Sequence, residues 1–119
     1  MRGVSSFSRI HLYVGAVDFR KSIDGLSGIV ESSMKLDPFS AELFVFVSRC
    51  RTRLRILYWD RTGFALWMKR LEKERFSWPR KVEEAYSMNL THAQLELLLE
   101  GVNIFQIKAH STLTFACMS

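Results

Sequence analysis

The chain has little of what would staple, partition or anchor it. Cys50 and Cys117 are the only two cysteines in 119 residues, too few for a disulfide framework and without metal-ligand spacing. Both read as reduced thiols. The three histidines, His11, His92 and His110, fall in separate expected elements, which excludes a zinc-finger arrangement. No metal and no cofactor is therefore expected. Two prolines and six glycines form no linker, and no internal repeat is visible. One domain over 1–119 is expected, with its core at about 9–107 and with residues 1–8 and 109–119 peripheral. No run approaches the roughly 18 uncharged apolar residues of a membrane span. The opening Met1-Arg2-Gly3-Val4-Ser5-Ser6-Phe7 is too polar for the apolar segment of a signal peptide. The expected setting is the cytoplasm, with no membrane partner.

What is present is apolar residue and positive charge. Hydrophobic residues make up 48% of the chain, enough for a core without staples, and this excludes intrinsic disorder. Seventeen Lys and Arg against twelve Asp and Glu give +5. Residues 48–81 hold eleven of the cations and three of the acids, a surplus of +8. The remainder holds six and nine, or −3. A middle segment polarised in this way is what a polyanion would meet.

The periodicity changes twice along the chain. Arg9 to Val14 is a short β-prone run ended by Gly15. Phe19, Ile23, Leu26, Ile29, Val30 and Met34 follow at spacings of three and four, which predicts an amphipathic helix of about 17 residues, capped by Asp18 and ended by Asp37-Pro38. Gly25 and Gly28 inside it suggest close approach to a sheet. From residue 42 the period is two: Leu43–Val47, Leu54–Trp59 and Phe64–Leu71 predict an antiparallel meander. The Ser48–Arg53 turn joins the first pair, and Asp60-Arg61-Thr62-Gly63, read as a type I turn, joins the second. Phe76–Pro79 and Tyr86–Leu90 are further short strand candidates. Thr91 caps a leucine-rich helix stopped by Gly101, and Val102–Lys108 alternates as a last strand. The expected fold class is α+β: one small domain, an antiparallel β-meander sheet packed with two helices.

Arg49, Arg51, Arg53 and Arg55 form the sharpest local feature. On a strand Arg53 and Arg55 share a face, and the turn carries the other two, which is a row of forked guanidinium donors suited to phosphates. Arg61, Lys69, Arg70, Lys73 and Arg75 extend the set in sequence. The plainer reading is a solvated hairpin whose charges discourage edge-to-edge pairing. Trp59 and Trp67, near the 60–63 turn, are candidates to lie on the arginine face and stack bases, whereas Tyr58, Phe76 and Trp78 read as core. No nucleophile–base set, carboxylate metal motif or phosphate-binding glycine loop is present, and Gly25-Leu26-Ser27-Gly28 lacks the following Lys-Ser/Thr. No catalysis is expected.

Ordered blocks then bring a family into view. They are Val17-Asp18-Phe19-Arg20-Lys21-Ser22-Ile23-Asp24-Gly25-Leu26, Asp37-Pro38-Phe39-Ser40-Ala41-Glu42-Leu43-Phe44-Val45-Phe46 and Leu57-Tyr58-Trp59-Asp60-Arg61-Thr62-Gly63-Phe64. Lys69-Arg70-Leu71-Glu72, Phe76-Ser77-Trp78-Pro79 and Leu99-Glu100-Gly101 complete the order. Across about residues 9 to 105 the chain resembles the Orf2-like (TnpB-type) accessory protein of the insertion-sequence-sixty-six family of bacterial transposable elements, distinct from the RNA-guided nuclease that shares the TnpB name. Family members usually carry Asn-Arg-Arg where this chain has Ser48-Arg49-Cys50, and the tail from Lys108 onward matches less well. The resemblance implies a component of a transposition system that works with a separate transposase. The expected partners are DNA, through the basic meander, and the transposase or another element-encoded protein. The rival expectation is a protein–protein adaptor that docks the transposase or self-associates as a homo-oligomer, without direct DNA binding.

Overall fold

A computed structural model describes residues 7, 9–80 and 86–105. Strand β1 (Arg9–Val17) leads through helix α1 (Ile23–Ser32) to β2 (Glu42–Ser48). β3 (Arg53–Asp60) and β4 (Gly63–Arg70) continue as a meander, and β5 (Ser87–Leu90) precedes helix α2 (His92–Leu99). The five strands form one sheet in the order β4-β3-β2-β1-β5. The fold is α+β, and the sheet is antiparallel except at β1–β2, which run parallel because α1 carries the chain back between them.

Both faces of the sheet are covered. On one side Leu26, Val30 and Met34 of and beyond α1 pack on Val17, Phe44, Phe46 and Leu57. On the other, Leu95 and Leu98 of α2 join Phe7, Phe76 and Trp78 over Ile10, Leu12, Val14, Leu43, Val45, Val47, Leu54, Ile56 and Tyr58. This explains why Leu43–Val47 is an unbroken apolar run: a strand buried on both faces has no solvent side to alternate with. Phe7, which the sequence placed among peripheral residues, is 2% exposed, and its carbonyl lies 3.1 Å from His92 Nε2. The remaining residues up to 8 and those of the tail from 106 onward, Cys117 among them, lie outside the described residues.

Several local expectations are corrected. β1 runs through Gly15 to Val17. Between Leu12 and Ala16 its register with β2 shifts, and a Cβ on Gly15 would sit 3.1 Å from the Tyr13 ring. The first helix keeps its predicted apolar stripe but spans ten residues. Its N-cap is Ser22, without a side-chain cap bond, and Asp18 closes on Arg20 instead. Its glycines do not serve a close approach: a Cβ on Gly28 meets nothing within 4 Å, and one on Gly25 meets only the Lys21 side chain. Arg61 has φ 58°, which rules out a type I turn at 60–63.

Phe76–Pro79 is not a strand. It is an extended strap held by the Phe76 N–H on the Arg51 carbonyl at 2.7 Å and the Trp78 indole N–H on the Tyr13 carbonyl at 3.0 Å. Val102–Phe105 is not a strand either, and the rest of that expected element, 106–108, lies outside the described residues. The second helix forms as read. The Thr91 hydroxyl accepts from the Gln94 N–H, and the Gln94 carboxamide accepts from the Thr91 N–H, a reciprocal cap. Gly101 follows at φ 89°.

Candidate nucleic-acid interface

The parallel pairing of β1 and β2 decides what meets at one end of the sheet. Val17 pairs with Ser48, so the Asp18–Lys21 loop lies beside the Arg49–Thr52 turn. Arg53 pairs with Arg70, which brings the end of β4 to the same edge. The chain beyond β4 is tied there too: the Leu71 N–H donates to the Thr52 carbonyl at 2.8 Å and the Phe76 N–H to the Arg51 carbonyl. Lys73 and Arg75 therefore sit on a short loop anchored at both ends to the arginine turn. Arg20, Arg49, Arg51, Arg53, Arg70, Lys73 and Arg75 are all exposed on this edge, against the acids Asp18, Glu72 and Glu74.

Two of those cations are already matched. Arg20 holds Asp18 through Nη2 at 2.6 Å and through Nε at 3.1 Å to each carboxylate oxygen. These bonds, then the Arg20 backbone N–H and the nearby charges of Arg20 and Arg49, hold the Asp18 carboxyl well below the usual carboxylate range, and Asp18 in turn raises Arg20. Arg70 Nε donates to Glu72 at 3.1 Å, an exposed pair that contributes little. No ion pair reaches Arg49, Arg51, Arg53, Lys73 or Arg75 among the described residues. Two features of the edge run against stability. Like charges directly opposite, as at Arg53 and Arg70, repel. Arg51 adopts φ 63°, a conformation suited to glycine or asparagine. Between the loop and the turn lies a shallow depression of about 360 Å³ lined by Val17, Asp18, Phe19, Ser48, Arg49, Cys50, Thr52 and Arg53.

The structure does not gather every residue that the sequence pointed to. Arg55 shares a face with Arg53 but is a packing residue. Its guanidinium lies 4.4 Å from the centre of the Phe19 ring, Nη1 donates to the Lys21 carbonyl at 3.2 Å, and Nε is buried without a hydrogen-bond partner among the described residues. It pins the β1–α1 loop to the sheet. Lys69 points to the opposite face and donates to the Leu99 carbonyl at 2.8 Å, supplying at the end of α2 the positive charge that the last turn of that helix lacks. Arg61 lies in the far hairpin, at the other end of β3. Trp59 shares the face of Arg53 and Arg55 but packs in the far aromatic cluster with Phe39 and Phe64. Trp67, opposite Ile56, lies on the other face, against the α2 core.

Arg20 is the residue that sequence reasoning left out, and the signal for it was the βαβ crossover, which places the end of β1 beside the end of β2. Among the described residues no group of three or more His, Cys, Asp or Glu could hold a metal ion. No helix among them is long and apolar enough to cross a membrane.

Residues 8–109 match the family described as IS66 Orf2-like protein. Two uncharacterized proteins of Sinorhizobium fredii (strain NBRC 101917 / NGR234) are similar to the chain. Over 108 residues it is 33% identical to y4jC, covering 91% of each chain. Over 95 residues it is 34% identical to y4hO, covering 80% of this chain and 81% of that one. No solved structure matches.

Proposed function

Because the chain belongs to the IS66 Orf2-like family, we propose that it is a non-catalytic accessory protein of transposition which grips DNA phosphates with the basic end of its sheet and assists a separate transposase. The observation that carries this reading is the cluster of exposed Arg49, Arg51 and Arg53, none of them in an ion pair among the described residues, with Arg70 one strand away. Adjacent strands are about 4.8 Å apart, so the four strand ends from β4 to β1 span about 14 Å. That is enough to bridge a major groove of about 12 Å and to meet phosphates on both of its walls. Guanidinium forks suit this task, because they position a duplex without reading its sequence. Lys73 and Arg75 add charge beside the row.

The test is the affinity of the chain for an element-end duplex and for a random duplex across a salt series. Each neutralised phosphate contributes about −0.9 to the log–log slope, so three to five contacts give a slope of roughly −3 to −5. Arg49→Glu/Arg53→Glu lowers the slope by about 2, while Arg61→Glu, at the far end of β3, leaves it nearly unchanged. A preference for the element end adds sequence readout. Flat salt dependence, or no binding at low salt, overturns DNA binding and moves the basic edge to the adaptor reading, in which it docks an acidic protein surface.

A further inference from the structure

We propose that the outer edge of β4 is a pairing surface for a second copy of this chain, two β4 strands joining antiparallel to fuse two five-stranded sheets into one. Among the described residues β4 ends the sheet and pairs only with β3. The Leu71 N–H on the Thr52 carbonyl continues that ladder and fixes its parity. Hydrogen-bonded pairs alternate along an antiparallel ladder, so residues 65, 67 and 69 direct their backbone groups to β3. The N–H and C=O of Phe64, Leu66, Met68 and Arg70 point outward. No strand among the described residues takes them.

Sheet proteins protect such edges with short strands, prolines, bulges or charges. The opposite edge does so, since β5 has four residues. β4 does not. It has eight residues in unbroken register from Arg53–Arg70 to Asp60–Gly63, with no proline and no charge from Gly63 to Met68. Met68 is 56% exposed. Lys69, the nearest cation, is turned away to the Leu99 carbonyl.

A second copy fits because the strand is complementary to itself. With Trp67 opposite Trp67, Leu66 faces Met68, Ala65 faces Lys69 and Phe64 faces Arg70, all from the other copy. Seven residues pair, no like charges oppose each other, and every outward N–H and C=O from Phe64 to Arg70 finds a partner. Opposed residues share a face, so each half of the core continues into its counterpart. The contact leaves the basic edge free. It therefore differs from self-association in which that edge docks on acidic surface.

The test is sedimentation of the full chain from micromolar to millimolar concentration, with amide hydrogen exchange on the same samples. The expected result is a species of twice 13.9 kDa. In it the amides of Phe64, Leu66, Met68 and Arg70 are protected and lose protection on dilution, while those of Ala65, Trp67 and Lys69 stay protected throughout. Met68→Pro removes an outward donor without touching the β3 ladder and raises the dissociation constant at least tenfold. A chain that stays monomeric to millimolar concentration overturns the proposal. So does a dimer whose even-numbered β4 amides exchange freely, or one dissolved by salt and by Arg49→Glu/Arg53→Glu.

Discussion

The two ends of β3 are built from different chemistry. At its start Arg53 stands with Arg49, Arg51 and Arg70, exposed to solvent. At its end Trp59, Phe39 and Phe64 form a mutual cluster with ring centroids 5.0, 5.2 and 5.1 Å apart, edge-on or tilted. Charge and aromatic rings interleave in the sequence and so read as one surface suited to both phosphates and bases. In the fold, the six steps of extended chain from Arg53 to Trp59, at about 3.3 Å each, put roughly 20 Å between them. Neighbours in number along a strand are not neighbours in space, so a single short stretch of nucleic acid does not meet both. The basic end is exposed charge on turns, and the aromatic end is a plug that closes the α1 side of the core, with Phe39 as its exposed lid.

The separation is broken most decisively at the aromatic end. Trp59→Ala removes the ring that Phe39 and Phe64 both touch, and the expected loss is about 2 kcal/mol of unfolding free energy, below the 3–5 of a fully buried tryptophan because Trp59 is only partly buried. Urea denaturation measures it. Below the transition, the salt slope of DNA binding is expected to be that of the parent chain. A lost slope with stability intact would mean that the two ends act together.

The meander was legible because its residues obey one rule at a time. Apolar runs, period two and the two hairpin turns mark β2 to β4 to within one residue. The first helix kept its face and lost its ends. Phe19 and Met34 do pack with Leu26 and Val30, but Phe19 is held by the Arg55 guanidinium and Lys35 turns the chain at φ 60°, so neither flank is helical. The parallel β1–β2 pair was not read, because nothing in a strand's own pattern states its partner or direction, and with it went the place of Arg20. Arg55 and Lys69 look like their neighbours in the sequence. Only the Phe19 ring and the Leu99 carbonyl, distant in the chain, turn them from surface cations into packing residues. Phe76 and Trp78 were read correctly as core, but the strap that delivers them has no period to detect.

A smaller effect sharpens the contrast within the basic end itself. Arg51 occupies a left-handed conformation that costs a side-chain-bearing residue about 1 kcal/mol relative to glycine. Arg51→Gly is expected to raise unfolding free energy by up to about 1 kcal/mol and to weaken DNA binding, reducing the salt slope by about 0.9. Stability and binding then move in opposite directions at one residue. Were both to fall, Arg51 would be a packing residue like Arg55.

The finest probe is Asp18, because its carboxylate reports the field of the basic end. The Arg20 side chain is the first cause of its lowered pKa, the Arg20 backbone N–H the next, and the Arg49 charge across the β1–β2 junction a lesser one. The ordinary value is 3.8 and the folded one lies below it. The ionised form therefore favours the fold at pH above 3.8, and that contribution is lost as the pH falls through the folded value. Carboxyl carbon shifts followed by NMR during acid titration are expected to show Asp18 titrating well below the ordinary carboxylate range. Arg20→Ala should return it towards the ordinary range, and Arg49→Glu should shift it the same way by less. Arg61→Glu, more than two Debye lengths away at physiological salt, should leave it in place. An Asp18 midpoint indifferent to Arg49→Glu would part the loop from the turn and remove one strand end from the basic row.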